Sequence, residues 1–237
     1  MNYELIKATV DRILENKYVW EFDGESAIRV DGKTLPLAKW IFYHQLDAMR
    51  LIAIKDKLVN RICSYKSTVI YSEDSDLFQA LREELGTCEW ILDEKIKSIY
   101  GVYKESRTVS LIIKTVNDTL CSINVATTLS DQTAPIVKHE IVGEEGFVSD
   151  RAVNEQIPVN AIYLYNDKEK HPETFTDIDF NMLGLTVSEV IVADSVMGAL
   201  TDDDVRNDMI ERDARSRYLL ERAKLSLETG TLVTEEY

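Results

Sequence analysis

Apolar residues recur two apart along residues 96–150, and this stretch organises the chain. It runs Ile96-Lys-Ser-Ile-Tyr100, Arg107-Thr-Val-Ser-Leu-Ile-Ile-Lys-Thr115, Thr119-Leu-Cys-Ser-Ile-Asn-Val-Ala126, Val137-Lys-His-Glu-Ile-Val-Gly143 and Gly146-Phe-Val-Ser149. Each run is short, rich in β-branched residues and closed by turn residues, which predicts consecutive antiparallel strands. Val109, Leu111 and Ile113 alternate with polar neighbours, as do Cys121, Ile123 and Val125 after the Asn117-Asp118 turn. A period of two puts one face on a core and leaves the other wetter.

The flanks read as mostly helical. Leu5, Ile6, Val10, Ile13 and Leu14 give residues 2–16 an apolar helix face. Residues 17–36 hold Asp23-Gly24 and Asp31-Gly32, which predict hairpin turns. A longer helix is expected over Leu37–Leu58, and a strand over Arg61–Tyr71. Ser72 is expected to cap a helix that begins Glu73-Asp74, buries Leu77, Phe78, Leu81 and Leu85, and ends at Gly86, with a further turn from Thr87 to Leu92. Beyond the sheet, Val159–Tyr165 reads as a strand and Asn166–Asp179, with His171-Pro172, as a loop. Thr186-Val-Ser-Glu189 is a capping box opening a helix to about Leu200. Thr201-Asp-Asp-Asp204 opens another, closed by Gly230, with Thr231–Val233 as an edge strand. The pairs Asp202/Arg206, Asp208/Arg212, Glu211/Arg215 and Asp213/Arg217 fit a solvated helix face. The pattern predicts an α+β fold: an open, mostly antiparallel sheet with helices packed on one face.

Composition narrows the partners. The formal net charge of -15 disfavours nucleic acid and anionic membrane surfaces. No run approaches the ~18 apolar residues of a membrane span, and no apolar signal core follows Met1, so a cytoplasmic protein is expected. Cys63, Cys88 and Cys121 are odd in number and lie among apolar residues, as reduced thiols do. His44, His139 and His171 lack metal-ligand spacing, and no nucleophile elbow, Walker loop or His-Glu-x-x-His occurs. Asp202, Asp203 and Asp204 read as a helix cap, and the clusters at Glu73, Asp74, Asp76 and at Asp177, Asp179 lack calcium-loop spacing. No metal site is expected. Trp20, Trp40 and Trp90 read as packing residues.

Three segments, in order, resemble the C-terminal domain of the glucose-fructose oxidoreductase / inositol dehydrogenase (Gfo/Idh/MocA) family. They are Leu85-Gly-Thr-Cys-Glu-Trp-Ile-Leu-Asp-Glu-Lys-Ile-Lys-Ser-Ile-Tyr-Gly101, the strands from Arg107 to Asp150 with His139-Glu-Ile-Val-Gly-Glu-Glu-Gly146, and Arg217-Tyr-Leu-Leu-Glu-Arg-Ala-Lys-Leu-Ser-Leu-Glu-Thr-Gly-Thr-Leu-Val233. The resemblance covers roughly 60–237. It implies a C-terminal-like domain over 61–237 after a helix–hairpin–helix extension over 1–60. In that family the open sheet face often serves as a subunit interface, and a complete enzyme carries an N-terminal Rossmann domain for a nicotinamide cofactor.

The sequence departs from that pattern twice. No two glycines lie two residues apart, so the Gly-x-Gly-x-x-Gly turn that lets backbone amides approach a pyrophosphate is absent. The family's Gly-x-His-x-x-Asp pattern falls on Gly86, Thr87, Cys88, Glu89, Trp90 and Ile91, replacing its His by Cys88 and its Asp by Ile91. A thiol of ordinary pKa and an alkyl chain do not relay a proton to a sugar hydroxyl. The Glu-Lys-Pro motif also lacks a counterpart, since Lys33 and Pro36 are not adjacent. The expectation is therefore a pseudoenzyme with no catalytic residue and no cofactor on this chain, serving as a homodimer through its sheet or binding a small molecule or another subunit. Interface candidates are Ser110, Ile112, Ser122 and Asn124. The alternative is the substrate-domain subunit of a split oxidoreductase whose separate Rossmann chain brings NAD(P). Substrate-side candidates are then Cys88, Glu89, Trp90 and His139.

Overall fold

The computed structural model describes residues 1–104, 107–131, 133–151, 161–165, 173–176 and 185–235. They form two compact units: Met1–Tyr43 with Asp177–Arg215, and His44–Thr176 with Ser216–Tyr237. The first unit thus joins the N-terminal segment to an internal one, and its first segment ends at Tyr43.

The first unit opens with α1 (Tyr3–Ile13), capped by the Asn2 side chain, which accepts from the Leu5 amide at 3.1 Å. Ile6, Thr9 and Val10 are its buried face. The strands β1 (Trp20–Phe22), β2 (Ala27–Val30) and β3 (Lys33–Pro36) make a three-stranded antiparallel sheet. Both Asp-Gly pairs make its turns, with Gly24, Asp31 and Gly32 at φ +78°, +49° and +75°, the left-handed backbone a tight hairpin requires. The expected long helix over 37–58 is broken into a 3₁₀ turn (Lys39–Phe42), α2 (His44–Arg50) and a π turn (Leu51–Lys55). Tyr43 takes an extended ψ of 103°, which ends helical bonding there. Further along, α4 (Val187–Thr201) begins at the expected capping box, where Glu189 Oε2 accepts from the Thr186 amide at 2.9 Å. Glu189 Oε1 also accepts from the Asn2 amide at 2.8 Å, tying the start of α1 to the start of α4.

The second unit is built on β4 (Ile62–Ser72), α3 (Leu77–Leu92), β5 (Ile96–Lys104), β6 (Thr108–Thr115), β7 (Leu120–Leu129), β8 (Ile136–Gly143), β9 (Gly146–Ser149), β10 (Ala161–Tyr165), β11 (Glu173–Thr176) and β12 (Val233–Thr234). The helix α5 (Asp203–Thr229) gives its first part to one unit and Ser216–Thr229 to the other. Asp202 caps it, as expected, accepting from the Asp204 and Val205 amides at 2.9 and 3.1 Å. On its surface Asp208 pairs with Arg212 at 2.7 Å, whereas Arg206 pairs with Asp203, three residues before it, rather than with Asp202. Gly230 ends it at φ +65°.

The nine strands run β11-β10-β9-β8-β4-β7-β6-β5-β12. All pairs are antiparallel except β4 with β7. The 96–150 segment is therefore not an uninterrupted meander. β4 enters from earlier in the chain and separates β7 from β8, pairing with both from Ser64 to Ile70. Residues 173–176, expected in a loop, add the outermost strand. His171, Asp177 and Asp179 lie outside the described residues.

Gly86 does not end a helix. α3 continues to Leu92 and stops at Asp93, the αL cap at φ +54°. Every residue from Glu84 to Leu92 is buried, and packing on that scale outweighs the ~1 kcal/mol that a mid-helix glycine costs. The true N-cap is Asp76 rather than Ser72, with Oδ1 accepting from the Phe78 and Gln79 amides at 2.8 and 3.1 Å. The sheet core is the alternating set Tyr65, Ser67 and Val69, then Val109, Leu111 and Ile113, then Cys121, Ile123 and Val125, all at most 1 % exposed.

A side chain at Gly143, where β8 turns, would have its Cβ 2.3 Å from the Asn60 carbonyl oxygen and 2.8 Å from Val59. Backbone cannot yield as a side chain can. Gly143→Ala should cost at least ~2 kcal/mol of stability, read as a lowered urea midpoint with an unchanged m value; an unchanged midpoint would contradict the packing described.

Candidate functional site

A buried cluster of titratable groups in the second unit is centred on His139 of β8. Period-two alternation turns His139 inward with Ile141, onto the face that carries α3. Its Nδ1 lies 2.6 Å from Asp150 Oδ2, and its Nε2 lies 3.2 Å from Glu84 Oε2 on α3. The backbone closes the arrangement: the His139 amide donates to Asp150 Oδ1 at 2.7 Å, and the Asp150 amide donates to the His139 carbonyl at 3.2 Å. Ser67 of β4 donates its hydroxyl to Glu84 Oε2, and Ser149 donates its hydroxyl to the His139 carbonyl at 3.1 Å. The Tyr65 ring stacks beside the imidazole, 6.3 Å between centroids and 13° between planes. Tyr65 Oη is buried without a hydrogen-bond partner.

Burial alone would push the His139 pKa down. The carboxylates of Asp150 and Glu84 more than reverse that and hold it up at about 10. The ring is therefore a buried imidazolium between two anions, both nitrogens donating. Burial also drives the Tyr65 hydroxyl well above its usual range, with the negative Glu84 adding to it. Neither group is poised for proton exchange near neutrality. His139 is 2 % exposed, Glu84 6 % and Asp150 8 %, so all three are shielded from bulk solvent. The cluster is a charged clamp between α3 and strands β4 and β8.

The other sequence candidates do not gather around it. Cys88, Glu89 and Trp90 are consecutive on α3, about 100° apart around the axis, and meet three different neighbourhoods. Cys88 is fully buried beside Cys121 of β7. That neighbouring thiol and burial push the Cys88 thiol well up, suppressing the reactive thiolate. Glu89 Oε1 accepts from the Ile96 amide at 2.7 Å and fixes the entry to β5. Trp90 packs under Arg50, whose guanidinium lies 5.5 Å from the ring and donates to the Trp90 carbonyl at 3.0 Å. Ile91 is fully buried. Ser110, Ile112, Ser122 and Asn124 lie together on the opposite face of the sheet, where Ser110 donates to Asn124 Oδ1 at 2.9 Å.

Glu84 and Asp150 were not singled out from sequence. Glu84 did carry a signal: it falls seven residues after Leu77 and beside Leu85 on the apolar stripe of α3, and a carboxylate there demands a buried partner. Asp150 closes a strand and looks like an ordinary turn residue.

One junction resembles a nucleotide-binding turn in outline, since β4 leads into α3 and is parallel to β7. It does not fit a dinucleotide. Glu73, Asp74 and Asp76 occupy it, and Asp74 lies close enough to Asp131 to raise the Asp131 pKa by charge repulsion. A pyrophosphate meets like charge there instead of free backbone amides. No group of His, Cys, Asp and Glu among the described residues is arranged to hold a metal ion. No helix among them is long and apolar enough to cross a membrane.

No protein-family model and no curated protein matches the sequence. Solved structures do match the fold. Scyllo-inositol dehydrogenase from Lactobacillus casei aligns with TM-score 0.59 at 12 % identity over 83 % of this chain and 63 % of its own. An inositol dehydrogenase homolog from Azotobacter vinelandii aligns with TM-score 0.61 at 10 % identity over 84 % and 63 %. An oxidoreductase from Pseudomonas syringae aligns with TM-score 0.62 at 12 % identity over 84 % and 63 %. The fold is shared with inositol dehydrogenases and related oxidoreductases. The chain spans under two thirds of the length of these structures.

The clamp makes two measurable predictions. His139 should be doubly protonated, giving imidazolium ¹⁵N shifts at about pH 8.5, two units above an ordinary histidine pKa; neutral-ring shifts there would contradict it. With the folded pKa raised, its stabilisation is complete below the unfolded value of 6.5 and is lost as pH rises through about 10. Replacing Asp150 by Asn leaves Glu84 and the ring one anion short and should cost roughly 3 kcal/mol at neutral pH, measured by urea unfolding. A loss under ~0.5 kcal/mol would show that the ion contacts do not hold α3.

Proposed function

We propose that this protein is a non-catalytic assembly subunit whose uncovered sheet face docks on the same face of a second copy. The observation that carries this reading is the contrast between the two faces of the sheet. The inner face is sealed. On the outer face the register aligns Tyr100, Ile112, Ser122, Lys66 and Glu140 in one row and Val102, Ser110, Asn124, Thr68 and Lys138 in the next. Val102 is 50 % exposed, Ile112 53 % and Leu120 54 %. A broad face of exposed apolar side chains mixed with short polar ones is characteristic of a protein interface. Lys138 and Glu140 pair with each other at 2.7 Å within one copy, so a twofold axis would set the exposed apolar side chains of this face against their own counterparts, which a second copy supplies in register.

The split-oxidoreductase reading keeps the chemistry of the neighbouring structures, of which the inositol dehydrogenase homolog is complexed with NADH and myo-inositol. It needs Cys88, Glu89 and Trp90 at a substrate. Their burial against three separate neighbours weighs against it.

Light scattering should give a mass about twice that of one chain, indifferent to NAD(P). The Ile112→Lys, Leu120→Lys double variant should give a folded monomer. A wild-type monomer, or a variant that stays dimeric, would sink the sheet-face interface.

A further inference from the structure

At one end of the nine-stranded sheet lies β11, four residues long. At the other, β5 is nine residues long, and only β12, of two residues, lies beyond it. A bare β5 would present a long row of unpaired amides and carbonyls, a template on which another chain can add a strand. Within this chain that row is occupied. Val233 lies opposite Ile99 and Thr234 opposite Ser98. The Glu235 amide donates to the Lys97 carbonyl at 2.8 Å. The Gly101 amide donates to Ser226 Oγ of α5 at 2.9 Å. Lys97, Ile99 and Gly101 are alternate residues, whose backbone groups point to the same side of an antiparallel strand. A nine-residue edge is thereby replaced by a two-residue one.

What holds the covering segment is mostly polar. Of residues 230–235 only Val233 is buried, and Leu232 is 60 % exposed. The Glu235 side chain is 6 % exposed, and its Oε2 accepts from the Tyr218 hydroxyl at 2.7 Å while Oε1 accepts from Arg222 Nε at 3.0 Å. The same guanidinium donates to the Thr234 carbonyl at 3.2 Å. Ser226 donates its hydroxyl to the Thr231 carbonyl at 2.7 Å. Tyr218, Arg222 and Ser226 are four residues apart, so they share one face of α5. That row of three side chains fastens the segment along its length. Gly230, at φ +65° with nothing within 4 Å of where a Cβ would stand, joins the segment to α5 as an open pivot. One buried apolar side chain and one ion pair are few contacts, and a segment so held opens at lower cost than the sheet it covers.

We infer that residues 231–235 are a releasable strap that closes the β5 edge, and that β5 of a second copy takes the edge when the strap is released. Two β5 strands are self-complementary there: set antiparallel about a twofold axis, the outward amides and carbonyls of each meet those of the other. The contact closes on itself, so it doubles the assembly and goes no further. The Arg222–Glu235 pair, which also carries the Thr234 carbonyl, is the catch. The strap acts on the β5 backbone and not on the side chains of the outer sheet rows, so this inference does not rest on the sheet-face dimer.

The test uses the full chain and compares variants with wild type at equal concentration. Arg222→Glu sets two carboxylates against one another. It should speed hydrogen exchange of the Glu235 amide, followed by NMR, at least about tenfold, the size expected when a charge-assisted contact is lost. Light scattering should then give twice the wild-type mass, whatever that mass is. The charge-swapped double variant Arg222→Glu, Glu235→Arg should restore both the slow exchange and the wild-type mass. Should Arg222→Glu unfold by circular dichroism, Tyr218→Phe, which removes one hydroxyl from a half-exposed ring, takes its place with the same two readouts. Unchanged exchange at Glu235, release with no change in mass, growth beyond a doubling, or a charge swap that restores neither readout would each overturn the inference.

Discussion

A buried positive charge held between two negative ones is the constraint on which the second unit depends. His139, Glu84 and Asp150 bring β8, α3 and the end of β9 together at one point, and Ser67 brings in β4. Burying an ion is expensive unless its partners are well placed. Here they are: both ring nitrogens and the His139 amide meet carboxylate oxygens. The arrangement fixes register as well as contact. A slip of one residue along β8 would turn His139 to the outer face and leave Glu84 buried beside Ser67 without its cation. The clamp thus selects which β8 residue faces α3, something apolar alternation alone leaves to shape.

The insertion of β4 follows from the same contacts. β4 pairs parallel with β7 and antiparallel with β8, and β7 in turn pairs antiparallel with β6. Its inner residues Tyr65, Ser67 and Val69 pack beneath α3, the helix that immediately follows it in sequence. A strand and the helix after it naturally lie against one another, and the strands β5, β6 and β7 then fill one side while β8, β9, β10 and β11 extend the other. Gly101 shows how closely α5 is set on that layer: its amide donates to Ser226 Oγ at 2.9 Å, and a Cβ there would lie 2.7 Å from Leu227. Among the described residues, one face is consequently covered by helices and the other carries exposed side chains such as Ile112 and Leu120.

Much of this was legible in the residues. Alternation located β6, β7, β8 and β9, the two Asp-Gly pairs located the small hairpin turns, and Thr186 with Glu189 marked the start of α4. What escaped was non-local. Nothing in residues 61–71 says that the strand is inserted between β7 and β8. Gly86 looks like a helix end because local propensity favours one there; only the burial of its neighbours explains why α3 continues. The candidate site was half visible. His139 stood out as an imidazole on an alternating strand, but its partners lie 55 and 11 residues away. Cys88, Glu89 and Trp90 were chosen by family pattern, and their adjacency in sequence becomes divergence in space on a helix.

A fold shared with inositol dehydrogenases does not by itself carry a function. At the positions where the family pattern has a His and an Asp, this chain has Cys88 and Ile91, both fully buried. A thiol whose pKa is raised and an alkyl chain contribute volume to a core and nothing to proton transfer. The imidazole and carboxylates that are present are equally sealed, and they are committed to one another. Exposed apolar side chains such as Val102, Ile112 and Leu120 lie instead on the outer sheet face. The burial of Cys88 and Ile91 is what supports the proposed assembly role over a reaction at those two positions.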